Sequence, residues 1–230
     1  MKKRICMTVA LMTALTMTAC SSVPEITGTD YTVEAPIVYD VKSYIGKIET
    51  IEEEALCSWA PTKENTVFHA GVIVEGTVIS SAYTSFGAMP WTQLDVVVNE
   101  CYDGELCAGD AVSVYYRGGY MPIKDYNEAL YGDNVAAYEQ GNENGLYHVA
   151  RTFEEAPAPG STFLFFISKR TKEPEEAYNI SNAGKEGVYK KIGDGVYYCD
   201  YTETEWTVDE LYTLIETRDT AVDFEWLKSS

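Results

Sequence analysis

One run constrains the fold of this chain more than any other. Ser161 to Ser168 reads STFLFFIS, apolar at both odd and even positions. A strand with two apolar faces must be covered on both, so this run is expected to be a central strand of a sheet. Its neighbours agree. Val67 to Ile79 is rich in β-branched residues and reads as a long strand, with Gly71 and Gly76 as bend or bulge points. From Thr92 to Glu100, Leu94, Val96 and Val98 alternate with Gln93, Asp95 and Val97, the signature of a half-buried strand. Ala111 to Arg117 follows as another, with Val112, Val114 and Tyr116 inward. Val188 to Ile192 and Val196 to Asp200 flank Gly193-Asp194-Gly195, a hairpin signal. Leu146 to Thr152 reads as a short edge strand, and Ser80 to Pro90 as a loop.

Three segments read as helical. Ser43 to Trp59 places Ile45, Ile48, Leu56 and Trp59 near one face, with Glu52 to Glu54 outward. Pro122 and the Asp125-x-x-Glu128 box open a region reaching to Gln140, broken at Gly132. Thr207-x-x-Glu210 is a capping box, with Trp206 and Leu211 as its hydrophobic staple. The helix that follows is expected to bury Val208, Leu211, Tyr212 and Ile215.

At 230 residues, 46% of them hydrophobic, and with eighteen tyrosines, the chain can bury enough apolar surface to offset its ordering entropy. Its formal net charge of −19 argues against nucleic acid or any other polyanion as partner. The N-terminus is the exception to this acidity. Lys2, Lys3 and Arg4 precede an apolar stretch from Ile5 to Ala19, which at fifteen residues is short of the ~20 a spanning helix needs. This is the arrangement of a secretory signal. Its ending, Met17-Thr18-Ala19-Cys20, resembles a bacterial lipobox, with Met17 where Leu is usual. The resemblance implies a signal peptide over 1–19 and lipid attachment at Cys20, hence a lipid-anchored protein on the extracytoplasmic face of a cell membrane. The bland alternative is an ordinary leader cut near Ala19. Residues 20–36, with Ser21, Ser22, Pro24, Gly28, Thr29 and Pro36, read as a tether. A domain over 37–218 and a C-terminal tail over 219–230 complete the expected organisation.

Three strands, a helical segment, then further strands is the chain order of a five-stranded Greek-key OB barrel. Ala70 to Val78 (AGVIVEGTV) resembles the first strand of netrin-like, OB-type barrels. Leu94 to Asp110, with turns at Gly104 and Gly109-Asp110, looks like their next hairpin, and Gly160 to Phe166 is similar to their late G-x-x-Y-L-x-F strand. The resemblance covers about 130 residues and consists of turn glycines and apolar strands, so it implies architecture: a mainly β (α+β) fold with a helical segment between the third and fourth barrel strands. Tissue inhibitors of metalloproteinases use this barrel with a free N-terminal cysteine on the protease zinc. Here Cys20 would be acylated and held off by a tether, so that mechanism is set aside.

Beyond Cys20, an exported chain with Cys57, Cys101, Cys107 and Cys199 favours disulfides, Cys101–Cys107 across a turn at Asp103-Gly104 and Cys57–Cys199 across the domain; four reduced thiols are the alternative. No cofactor is expected. No metal is expected either, because no Cys-x-x-Cys or His-x-x-x-His occurs, and His69 and His148 read as structural histidines in strands. There is no Gly-x-Ser-x-Gly, P-loop or dinucleotide fingerprint, so no catalytic residue is nominated. The glutamate runs read as solvated faces. OB barrels bind with the face of their second and third strands and the adjoining loops. The candidate binding surface is therefore Tyr83, Phe86 and Trp91 in the first loop and Tyr178 in the later one. Such rings would stack on a sugar or on a partner's apolar patch, unless they fold inward to plug the barrel mouth. Tyr115, Tyr116, Arg117 and Tyr120 around Gly118-Gly119 are a weaker second group. The leading expectation is a non-catalytic binding or interaction module that meets an envelope protein or glycan. The rivals are an enzyme acting on envelope polymers and a passive spacer.

Overall fold

In a computed structural model of the protein, the described residues are 37–43, 47–52, 60, 62–86, 89–131, 144–150, 156–171, 176–181, 187–200 and 202–229. All fall within the unit Glu34–Ser230. The leader, Cys20, the tether and Cys57 lie outside them. The fold is mainly β. In chain order the elements are β1 (Ile37–Tyr39), β2 (Ile48–Glu52), α1 (Lys63–His69), β3 (Val72–Phe86), β4 (Met89–Asp103), β5 (Ala111–Arg117) and β6 (Gly119–Pro122). Then come α2 (Ile123–Tyr131), β7 (Leu146–Ala150), β8 (Thr162–Lys169), β9 (Tyr178–Ile180), β10 (Val188–Gly193), β11 (Val196–Cys199), β12 (Thr204–Thr207) and α3 (Val208–Ser229).

The large sheet has the order β1-β3-β4-β5-β9-β8-β10-β11-β12, and β3 pairs a second time, with β8. The pairings β3–β4, β4–β5, β5–β9, β9–β8 and β8–β3 therefore form a closed circuit of five strands. All are antiparallel except β5–β9. A second sheet, β2-β7-β6, carries α2.

The apolar run that reads as a central strand is β8, and its alternation explains the layering. Phe163, Phe165 and Ile167 join Val74, Leu94, Val96 and Val114 in one buried cluster on the face shared by the five strands. Leu164 and Phe166 point the other way, into a second cluster with Ile73, Tyr197, Trp206, Leu211 and Val67. That second layer is closed by α3, and Thr207 caps it as expected: its Oγ1 accepts from Glu210 N at 3.3 Å. Leu211 is fully buried beside Trp206. The helix then continues to Ser229, where a tail was expected from residue 219. Tyr212 is 42% exposed rather than buried, its ring edge-on to Tyr102 at 5.8 Å.

Several elements differ from the sequence reading. The expected helix over 43–59 is, where described, a short 3-10 turn at Val41–Ser43 followed by β2. Ile48 and Ile51 are three apart, as a helix face requires, but β2 finds a parallel partner in β7, from Ile48↔Leu146 to Glu52↔Ala150. The same pairing makes β7 the middle strand of its sheet, not an edge. Val67 belongs to α1, not to a strand: Thr62 Oγ1 accepts from Asn65 N and starts a helix that ends where Ala70 turns extended, before β3 begins. His69 accordingly sits in the last turn of α1, not in a strand. The register of β3 against β4 does shift at Glu75/Gly76, as the glycine suggested.

The largest difference concerns residues 80–86 and 89–90 of the expected loop. These do not form a loop: β3 and β4 stay paired from Ile73↔Asp103 out to Phe86↔Met89, a hairpin of two fifteen-residue strands. The far half is held on one flank by β1 and on the other by β5. β6 crosses close over it at Gly119, whose φ of +117 only glycine adopts readily. A Cβ there would lie 2.6 Å from Thr92 Oγ1 and 2.8 Å from the Tyr83 ring.

Candidate binding face

The hairpin redistributes the predicted binding residues. Strand alternation turns Leu94 and Val96 inward, and so turns Trp91, Gln93 and Asp95 to the opposite face of β4. Register then sets Trp91 opposite Arg117, Gln93 opposite Tyr115, and Asp95 opposite Ser113 on β5, while Asn179 of β9 lies beyond Tyr115. A row of polar and aromatic side chains thus crosses β4, β5 and β9.

The row is tied together by hydrogen bonds. Tyr115 donates its OH to Gln93 Oε1 at 2.8 Å, and Gln93 Nε2 donates to Asp95 Oδ1 at 2.8 Å. Ser113 Oγ also donates to Asp95, at 2.9 Å, as does Ser80 Oγ of β3. Burial by itself would raise the Asp95 carboxyl, but these three donors outweigh it and hold the group below its ordinary range. Arg170, just past β8, lies over the row. Its guanidinium carbon is 5.4 Å from the Trp91 ring centroid and 5.2 Å from that of Tyr115, and Nη1 donates to Asn179 Oδ1 at 2.6 Å. Burial pushes Arg170 down from its ordinary value, though it stays cationic at neutral pH. Desolvated cation–π contacts of this kind are worth on the order of 2 kcal/mol.

The other predicted residues go elsewhere. Tyr83 leans edge-on against Tyr120 at 4.8 Å and accepts from Ala156 N at its hydroxyl. Tyr120 in turn stacks on His148 of β7 at 4.5 Å, joining the hairpin to the second sheet. Phe86 ends β3 opposite Met89. Tyr178 is not a loop residue: it opens β9, 5% exposed and packed in the first core cluster. Tyr116 is likewise core. So Trp91, Tyr115 and Arg117 come together from what read as two separate groups, while Tyr83 and Tyr178 leave the site. The polar members Gln93, Asp95, Asn179 and Arg170 were missed. The outward positions of Gln93 and Asp95 were readable from the alternation along β4; the approach of Arg170 was not.

The described cysteines are thiols: Cys101, Cys107 and Cys199. The Cys101–Cys107 bridge fails because Cys101 is still inside β4, paired to Val74 of β3. The strands β4 and β5 only meet at Val97↔Ala111, so the turn between them is longer than a tight turn at 103–105. Cys101 Sγ donates to Asp103 O instead, and burial raises its pKa, which makes it a poor nucleophile.

A second polar cluster lies under β10–β12. Glu75 Oε2 accepts from Lys191 Nζ at 2.8 Å and Tyr197 OH at 2.6 Å, and Oε1 accepts from Asn99 Nδ2. Because the Tyr197 proton is committed to Glu75, Tyr102 OH donates to Tyr197. Burial works to raise Glu75, yet the bonds from Lys191, Tyr197 and Asn99 prevail and keep it ionised. Burial drives both tyrosines up, Tyr102 to about 12. Glu75 is held ionised and Tyr102 and Tyr197 protonated, which suits a fixed strut between β3 and the β10–β11 hairpin.

Among the described residues no three His, Cys, Asp or Glu side chains gather at metal-binding distance, and no helix is long and apolar enough to cross a membrane. The sequence matches no protein-family model and no curated protein.

Proposed function

We propose that the protein is a non-catalytic binding module of the bacterial cell envelope, anchored to a membrane through an acylated Cys20 and built on an OB-like Greek-key barrel. The circuit of strands supports the architecture. β3, β4 and β5 are consecutive and antiparallel, β8 returns after a long connection to lie beside β3, and β9 bridges β8 and β5. The order β8-β3-β4-β5 is that of a Greek key.

The observation that carries the functional reading is the row Trp91, Gln93, Asp95 and Tyr115 with Arg170 above it. In this architecture β4 and β5 are the second and third barrel strands, whose outer face is the usual ligand surface. Tyr115 is 3% exposed beneath Arg170 and serves to position the row; the half-buried Trp91 ring, beside an amide and an ionised carboxylate, matches a sugar ring, whose faces are apolar and whose edge is hydroxylated. Asp95 has no proton to give at neutral pH, so this row offers no general acid, and binding is favoured over hydrolysis.

The test is calorimetric titration of the whole mature chain with defined cell-wall oligosaccharides. Binding is expected, weakened at least about tenfold by Trp91→Ala, which corresponds to one lost stacking contact of about 1.4 kcal/mol. Equal affinity in Trp91→Ala and Gln93→Ala would move the site elsewhere, and no binding to any glycan would remove this ligand class.

A further inference from the structure

We infer that the row takes an acidic sugar, one that carries a carboxylate, and that Arg117 is the residue that selects it; this deepens the glycan-binding reading and rests on it.

Placement is the first reason. Trp91 and Arg117 are directly opposed across β4 and β5, which sets their Cβ atoms about 5 Å apart on one face. Both side chains are half-buried, so each keeps a surface that a ligand can reach. Arg117 Nη2 donates to Met89 Sδ at 3.7 Å, so the guanidinium lies on the side of Trp91 away from Gln93. A sugar ring stacked on Trp91 therefore meets a cation at one end and an amide at the other.

Donor chemistry is the second reason. A guanidinium presents a planar fork of N–H donors that matches the two oxygens of a carboxylate. The thioether that Nη2 faces is a weak acceptor at a long distance. A carboxylate offers that donor a stronger, charge-assisted bond, and exchanging the one for the other costs little.

Charge is the third reason. The chain has five arginines, and two of them adjoin Trp91: Arg117 across the strands and Arg170, whose guanidinium carbon is 5.4 Å from the ring centroid. Carboxylates surround them at longer range. Asp95 is four residues along β4 from Trp91, roughly 13 Å, and its charge is shared among three donors. Asp40, just past β1, and Glu176, just before Ala177, are both exposed, where water and salt screen them. Recognition is then by contact at the ring, not by the field of the whole domain. A sugar with isolated carboxylates is also not the polyanion that the net charge disfavours.

The test is calorimetric titration of the whole mature chain with a matched pair of ligands. One is the tetrasaccharide of alternating N-acetylglucosamine and N-acetylmuramic acid; the other is the same molecule with its carboxylates reduced to alcohols. The acid is expected to bind at least about tenfold tighter, the margin of one charge-assisted hydrogen bond. Arg117→Gln is expected to erase that margin, and Arg117→Lys, which keeps the charge without the fork, to retain part of it. The matched pair reads the preference in unaltered protein, so the outcome stands even where a variant fails to fold. Equal affinity of the wild type for both forms, or a margin that survives Arg117→Gln, would overturn the selection of an acid and leave glycan binding standing. Binding of neither form would overturn it as well, and no binding to any other glycan would remove the reading beneath it.

Discussion

At the scale of single residues, the informative groups are polar side chains whose protonation the fold has settled. Glu75 is 7% exposed and accepts three hydrogen bonds, which keep its folded pKa below the ordinary 4.5. A depressed carboxyl stabilises the folded state fully above its unfolded pKa, and that contribution is lost as pH falls through the lower folded value. Acid unfolding should therefore steepen below about pH 4.5. Glu75→Gln should flatten that limb and cost about 1–3 kcal/mol at neutral pH, because Lys191 and Tyr197 lose an anionic acceptor. Urea unfolding from pH 3 to 7 measures both. Tyr102 has the opposite sign. Its pKa is raised to about 12, so its share of stability is present at pH 10 and below and is lost above that. An ultraviolet titration should find it ionising later than the exposed tyrosines. None of this was legible beforehand, since Glu75, Asn99, Lys191 and Tyr197 come from three separate parts of the chain.

At the scale of elements, local signals succeeded where a cap or a turn decides the outcome. The Thr207 N-cap, its staple and the Gly193 to Gly195 hairpin form as read, since each depends on residues a few positions apart, while the Glu210 carboxylate of the expected box accepts from Lys63. Thr207→Ala should cost about 1 kcal/mol, read as a lower unfolding midpoint with unchanged slope. Local signals failed where a distant strand competes. Residues 48–52 have helical spacing but are paired to β7 almost a hundred residues away. Residues 80–86 look like a loop because Ser, Thr and Tyr alternate without a strong apolar face, yet β1 and β4 supply partners on both sides. The closeness of β6 to that hairpin gives a sharper test. Gly119→Ala puts a methyl within 2.6 Å of Thr92 Oγ1 at a φ of +117, so it should destabilise by about 1–3 kcal/mol. Gly109→Ala, with a similar φ but open space around it, should cost less.

At the scale of the whole molecule, β8 is the common wall of two cores, with Phe165 in one and Phe166 in the other. Neither layer can lose it and persist, so thermal unfolding should be a single cooperative transition. Phe165→Ala and Phe166→Ala should each lower it, by about 3–5 kcal/mol, without splitting it. Two resolved calorimetric peaks in either variant would mean the layers are independent. The candidate face shares this dependence on the whole. Trp91 and Tyr115 meet because β4 and β5 are in register, and Arg170 reaches them because β8 and β9 bring the end of β8 alongside.

The amino-acid sequence by itself determined the β-rich class, the doubly buried strand, the inward and outward faces of β4 and the capped C-terminal helix. Each rests on a period of two or on a spacing of three to five residues, which the covalent chain imposes locally. Tertiary structure alone decided that residues 80–86 and 89–90 are strand, that Cys101 and Cys107 do not bridge, and which aromatic residues share a face with Arg170. Those outcomes turn on pairing register and on partners far away in sequence, and register is a property of the assembled sheet rather than of any one of its strands.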